Sequence, residues 1–180
     1  MRHLFSPLLL LLAGCGAAEQ PEWIELTAAY GIEASSQGER DQLLRVFERV
    51  AETEGHHMDA ATGQELALQA DVYEQSIKAC IWVGEDDEEM LACAQDFEER
   101  LGLVFVTFYR GTEPQRNQAF RRRLLDELQT EFGQLPSIPQ MPNGALPLAE
   151  DLILEDGNYA VSEENSQKYE ARSEGTNTSP

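Results

Sequence analysis

Apolar residues recur along this chain with two different periods, and the switches between them mark out its elements. From Glu39 to Glu54, Leu43, Val46, Phe47 and Val50 fall at i, i+3, i+4 and i+7, the stripe of an amphipathic helix, with Gly55 as its stop. Met90, Ala94, Phe97 and Leu101 repeat in the same way, so residues 86–101 read as a second helix. Acidic residues 86–89 would meet the positive end of its dipole and Arg100 the negative end, with Gly102 as cap. A third helix is predicted over residues 113–132. Thr112 caps it, Pro114 sits in the first turn, and Phe120, Leu124, Leu125, Leu128 and Phe132 form its apolar face.

Between these lie β-rich stretches. Residues 23–28 read as a first strand that directs Trp23 and Ile24 to the core, and residues 31–38 as a loop. Residues 55–64 read as a polar turn holding His56, His57 and Gly63. Residues 65–83 carry both periods. Leu66, Leu68, Ala70 and Val72 alternate, whereas Leu66, Ala70, Tyr73 and Ile77 recur helically. We read two strands joined near Glu74-Gln75, the second ending in Ile77–Val83, with a helix-rich domain as the alternative. Leu103–Tyr109 is a further strand. The resulting order, β-α-β-β-α-β-α, predicts an α+β fold: a small sandwich of a mainly antiparallel sheet with two or three helices, compatible with a ferredoxin-like arrangement.

The domain is predicted to span residues 22–133. Pro136, Pro139, Pro142 and Pro147 then mark an extended connector, and Leu152–Val161 reads as a hairpin turning at Asp156-Gly157. An isolated hairpin is marginal, so it must dock on the domain or on a partner. From Ser162 to Pro180 the chain is polar apart from Tyr169 and reads as a disordered tail.

Charge narrows the classes of partner. The 180 residues carry 33 acidic and 13 basic side chains, a net charge of −20. Such a chain is repelled by nucleic acid, and a basic protein is its natural counterpart. Glu85, Asp86, Asp87, Glu88 and Glu89 form the densest acidic run and, with Ile153 and Tyr159 of the hairpin, are the candidate partner-binding residues. Arg116, Arg121, Arg122 and Arg123 stand out against this acidity. Three of them are consecutive and spread around a helix, so pairing with the chain's own carboxylates explains them better than one basic site.

The N-terminus is the most specific stretch. Arg2 precedes a short apolar run that closes in Leu12-Ala13-Gly14-Cys15. The run is too short to span a bilayer and ends in small residues. It resembles a bacterial lipoprotein signal peptide over residues 1–14, with those four residues as its lipobox. The resemblance implies that Cys15 is lipidated, that cleavage falls before it, and that residues 15–21 form a tether. Gly16, in place of the aspartate that often retains such proteins at the inner membrane, favours the outer membrane, with the domain facing the periplasm. In that oxidising compartment the remaining pair, Cys80 and Cys93, reads as a structural disulfide, with redox chemistry as the alternative.

No nucleophile elbow, zinc-protease helix or phosphate loop is present in the sequence. His56-His57 with Glu54 or Asp59 reads as a solvated turn before it reads as a metal site, and no cofactor is expected. The expectation is a lipid-anchored, non-catalytic binding, assembly or accessory factor for an envelope protein. The alternatives are an immunity or inhibitor protein that neutralises a basic toxin or hydrolase, and an envelope hydrolase using paired carboxylates.

Overall fold

The computed structural model describes residues 25–62, 76–83, 89–97, 100–141 and 144–174. The signal segment, Cys15 and its tether, Trp23 and Ile24, the first strand expected in 65–83, and Glu85–Glu88 lie outside the described residues.

The elements are β1 (Leu26–Glu33), α1 (Gln37–Glu54), β2 (His57–Thr62), β3 (Ile77–Val83), β4 (Glu89–Phe97), β5 (Arg100–Tyr109), α2 (Pro114–Phe132), β6 (Leu152–Glu155), β7 (Asn158–Val161) and α3 (Glu163–Glu174). Strands β2 to β5 form an antiparallel meander, and β1 adds to β5, giving the sheet order β1-β5-β4-β3-β2. The α+β class is as expected, but the sheet order is that of a meander, with no helix between β3, β4 and β5 among the described residues, so the arrangement is not ferredoxin-like.

Helix α1 starts at a capping box. The Ser36 hydroxyl accepts from the Glu39 backbone N–H at 3.3 Å, and the Glu39 carboxylate accepts from the Ser36 N–H at 2.9 Å. Gly55 ends it in the left-handed conformation. Leu43, Phe47 and Val50 of α1 and Phe120, Leu124 and Leu128 of α2 pack against Ile81, Ala92, Val104, Val106 and Phe108 of the sheet, forming the main core.

Three departures from the periodicity have physical causes. Where a second helix was expected, Glu89–Phe97 form β4 and Arg100 begins β5. β4 is the central strand, and Leu91, Ala92, Cys93 and Ala94 are all buried. Four buried residues in a row carry no alternation, which leaves chance helical spacing to be read. Residues 57–62 form the edge strand β2 and not a turn; His57, Asp59 and Ala60 are exposed there, so no apolar pattern announces it. β1 runs on through residues 31–33, where a loop was expected, because Ile32 enters the core and Gly31 lies beneath the ring of Tyr159.

The connector covers the free edge of β1. Gly31 N–H donates to the Pro136 carbonyl, and Ile138 N–H to the Ala29 carbonyl, each at 2.9 Å. The hairpin forms as expected, with Asp156 and Gly157 both at positive φ (49° and 80°), the type I′ geometry that suits strand twist. It docks on the sheet face opposite the helices, where Leu152 and Tyr159 meet Ala29, Leu103, Phe105 and Ile138. The segment after Ser162 is helical from Glu163 to Glu174, against the expectation of disorder. The buried Tyr169 anchors it: its hydroxyl donates to the Asp151 carboxylate at 2.6 Å and accepts from the Leu148 N–H at 2.9 Å.

Candidate functional site

The sheet has one face under α1 and α2. On the other face, among the described residues, the hairpin and connector cover the β1–β5 side and leave the β2–β4 side open. Strand register sets the residues of the open half in rows. Asp59 pairs with Cys80, Cys80 with Cys93, and Cys93 with Thr107. One row along, Ala61, Lys78, Gln95 and Phe105 are aligned in the same way. Trp82 stands opposite Met90. With Tyr109 and Leu146 these side chains line a trough of about 620 Å³.

The trough floor is braced. Cys80 and Cys93 form a disulfide across directly opposed positions of β3 and β4. The Met90 sulfur lies 3.2 Å from the Cys93 sulfur. The Thr107 hydroxyl donates to the Cys93 carbonyl at 3.2 Å and contacts the Tyr109 hydroxyl at 3.3 Å. The indole N–H of Trp82 is buried and has no hydrogen-bond partner among the described residues. Half of the lining is aromatic or sulfur-bearing, and Asp59, Lys78, Gln95 and Thr107 are its polar side chains.

Of the residues singled out in the sequence, the disulfide pair lies in the trough, while the rest scatter. Glu89 is not a docking carboxylate: it is 5% exposed and satisfied internally. Its carboxylate accepts from the Thr112 hydroxyl (2.6 Å) and N–H (3.0 Å), from Arg116 (2.9 Å) and from Asn117 (2.8 Å). Burial alone would raise its pKa, but the hydrogen bonds from Thr112, Asn117 and Arg116 hold it at about 2. Thr112 therefore serves Glu89, and α2 begins at Pro114 without a side-chain cap. A Cβ on Gly111 would overlap Glu89 and Asn117, so only glycine lets this loop close over them.

Tyr159 also turns inward. It is buried and donates from its hydroxyl to Glu33 at 3.0 Å, so it docks the hairpin and does not face a partner. Ile153 and its neighbour Leu154 are exposed, at 40% and 60%. Arg116 pairs with Glu89 and Glu113, and Arg123 with Glu54, as intramolecular pairing predicts, whereas Arg121 and Arg122 have no carboxylate partner among the described residues. His56 sets its ring against Phe120 with centroids 5.5 Å apart; burial, then the nearby Arg116, lowers its pKa. Among the described residues no three histidine, cysteine, aspartate or glutamate side chains gather as metal ligands. No helix among them is long and apolar enough to cross a membrane.

The trough was not foreseen, because reading β4 as a helix hides the register that assembles it. The cysteine pair held the usable signal: a disulfide between strands fixes residues 80 and 93 opposite each other, which places Lys78 beside Gln95, while a β-bulge after Ile81 shifts Trp82 to Met90. Comparison with protein-family models, with curated proteins and with solved structures finds no match for this chain.

Proposed function

We propose that this chain is a lipid-anchored envelope protein that works as a non-catalytic binding or accessory factor in the periplasm. The open half of the sheet is its binding surface. The observation that carries this reading is the trough itself: an aromatic, sulfur-rich concavity on a rigid, disulfide-braced sheet, left open beside a hairpin that covers the rest of that face. Tryptophan, tyrosine and methionine supply large contact area at low entropic cost, the composition favoured at the centres of protein interfaces. The lipobox at Leu12–Cys15 supports the anchor, and a disulfide suits an oxidising compartment. The net charge of −20 favours a basic envelope protein as the partner, drawn in by electrostatic steering.

The test is isolation of envelope complexes with the wild-type chain and with Thr107→Arg, which places a long charged side chain on the trough floor. A stoichiometric partner present with the first and lost with the second is the expected result. Equal recovery by a folded variant would place binding elsewhere.

A further inference from the structure

The molecule has a second concavity, at the end of the sheet where the described chain begins. The start of β1, the end of β5 and the first two turns of α2 enclose about 230 Å³ lined by Thr27, Tyr109, Arg110, Gln118 and Arg121. Leu26 pairs with Tyr109, and Arg110 N–H donates to the Glu25 carbonyl at 2.9 Å, so the incoming chain forms part of the wall.

Its charge is opposite to that of the molecule. Arg110 pairs with the exposed Glu25 at 2.8 Å. Arg121, and Arg122 beside it, have no carboxylate partner among the described residues, in a chain whose net charge is −20 and where Arg116 and Arg123 are both paired. Glu113, the other nearby carboxylate, is turned to Arg116 at 3.0 Å. An arginine left without a carboxylate in so acidic a protein is available to an outside anion. Guanidinium forks match the oxygens of a phosphate, and the Tyr109 hydroxyl and Gln118 amide add donors at the same place, while the Thr27 hydroxyl donates to the Phe108 carbonyl at 3.1 Å.

The position of the tether indicates which anion. Cys15 lies ten residues before Glu25, a reach of about 35 Å at full extension. A lipid on Cys15 would hold this end of the domain close to the bilayer at high effective concentration. Anionic headgroups repel an acidic domain except at its unpaired cations, and Arg121 and Arg122 are the ones at the end of the domain where the chain enters beside Glu25. We propose that this cleft takes the phosphate of an anionic phospholipid headgroup, one without a choline to offset its charge, in the membrane that holds the chain, and thereby sets which face of the domain lies on the bilayer. The inference rests on the lipid-anchor reading.

The test uses the lipidated full chain in vesicles of phosphatidylcholine alone, or with phosphatidylglycerol as the minor lipid. Arginines are labelled with phenylglyoxal and mapped by mass spectrometry, with the exposed Arg45 of α1 as internal reference. The expected result is a roughly five-fold slower labelling of Arg121 relative to Arg45 when the anionic lipid is present, with a smaller change at Arg110, both reversed by salt. If the chain floats with the vesicles and Arg121 labels at the Arg45 rate in both, the cleft does not bind headgroups, while the anchor reading stands. If inorganic phosphate gives the same protection in phosphatidylcholine alone, the cleft is a free-anion site and the lipid assignment falls. If the chain fails to float, and Cys15→Ser behaves identically, the anchor reading falls and this inference with it.

Discussion

Glu89 and Arg116, 27 positions apart in sequence, meet at 2.9 Å and tie the first residue of the central strand to the first turn of α2. The carboxylate is almost fully buried, and all its hydrogen bonds favour the charged form over the protonated one. Its pKa falls from 4.5 to about 2 on folding. A depressed folded value means that the stabilisation is complete above the unfolded pKa and disappears as pH falls through the folded one. The contribution should therefore be intact at neutral pH, fade below 4.5 and be gone near 2. Glu89→Gln should lower the unfolding free energy by about 3 kcal/mol at neutral pH. Urea titrations of the two proteins should converge as pH falls through this window; a gap that is constant with pH would contradict the assignment.

The disulfide joins β3 to β4 and closes a short loop, with a sequence separation of 13. Cys80→Ala with Cys93→Ala should destabilise the fold by about 2–3 kcal/mol. Matched denaturation of the wild type with and without a thiol reductant should show the same loss. Mass mapping under non-reducing conditions that found both thiols free in envelope material would overturn the bond.

Gly31 is the contact point between sheet and hairpin. A Cβ there would collide with the Tyr159 ring and come within 3.1 Å of Leu103. Gly31→Ala should cost about 1–3 kcal/mol, the range for overpacking a filled site. The loss should appear locally, as faster hydrogen exchange at Tyr159 and Ser162, whose N–H groups bond to Ser137 and Asp151. Unchanged exchange at these amides would show that the hairpin is not held through this contact.

Tyr169 holds α3 through one hydroxyl shared between the Asp151 carboxylate and the Leu148 N–H. That hydrogen bond, then the Lys168 ammonium at 3.1 Å, keeps the Asp151 carboxyl below its usual range despite burial. Tyr169→Phe leaves a buried charge short of a donor and should weaken docking of α3 by about 1–3 kcal/mol. Limited proteolysis after Ser162 should accelerate, with the main sheet unaffected.

What the sequence revealed depended on how each element is buried. α1 and α2 each bury one face, so Leu43–Phe47–Val50 and Phe120–Leu124–Leu128 were legible as stripes. The hairpin was legible because its turn requires positive φ at Asp156 and Gly157, a local demand. β4 was not, since its neighbours on both sides bury successive residues. β2 was not, since an exposed edge strand needs no apolar residues. The tail looked too polar to fold; its order depends on one aromatic residue and a carboxylate 18 positions away, a pairing no local pattern encodes. The cysteine pair was found, but the trough around it depends on register across β2 to β5 and lies beyond periodicity.

The central claim is that the open half of the sheet is where a partner sits. A photo-crosslinking residue placed at Trp82 in the lipidated chain, in living cells, tests it most directly, with the same residue at Glu48 on the exposed face of α1 as control. Position 82 should give one dominant protein adduct, lost when Thr107→Arg is added, and position 48 none of that species. The same adduct from both positions, or an adduct at 82 that persists with Thr107→Arg in a folded protein, would contradict it.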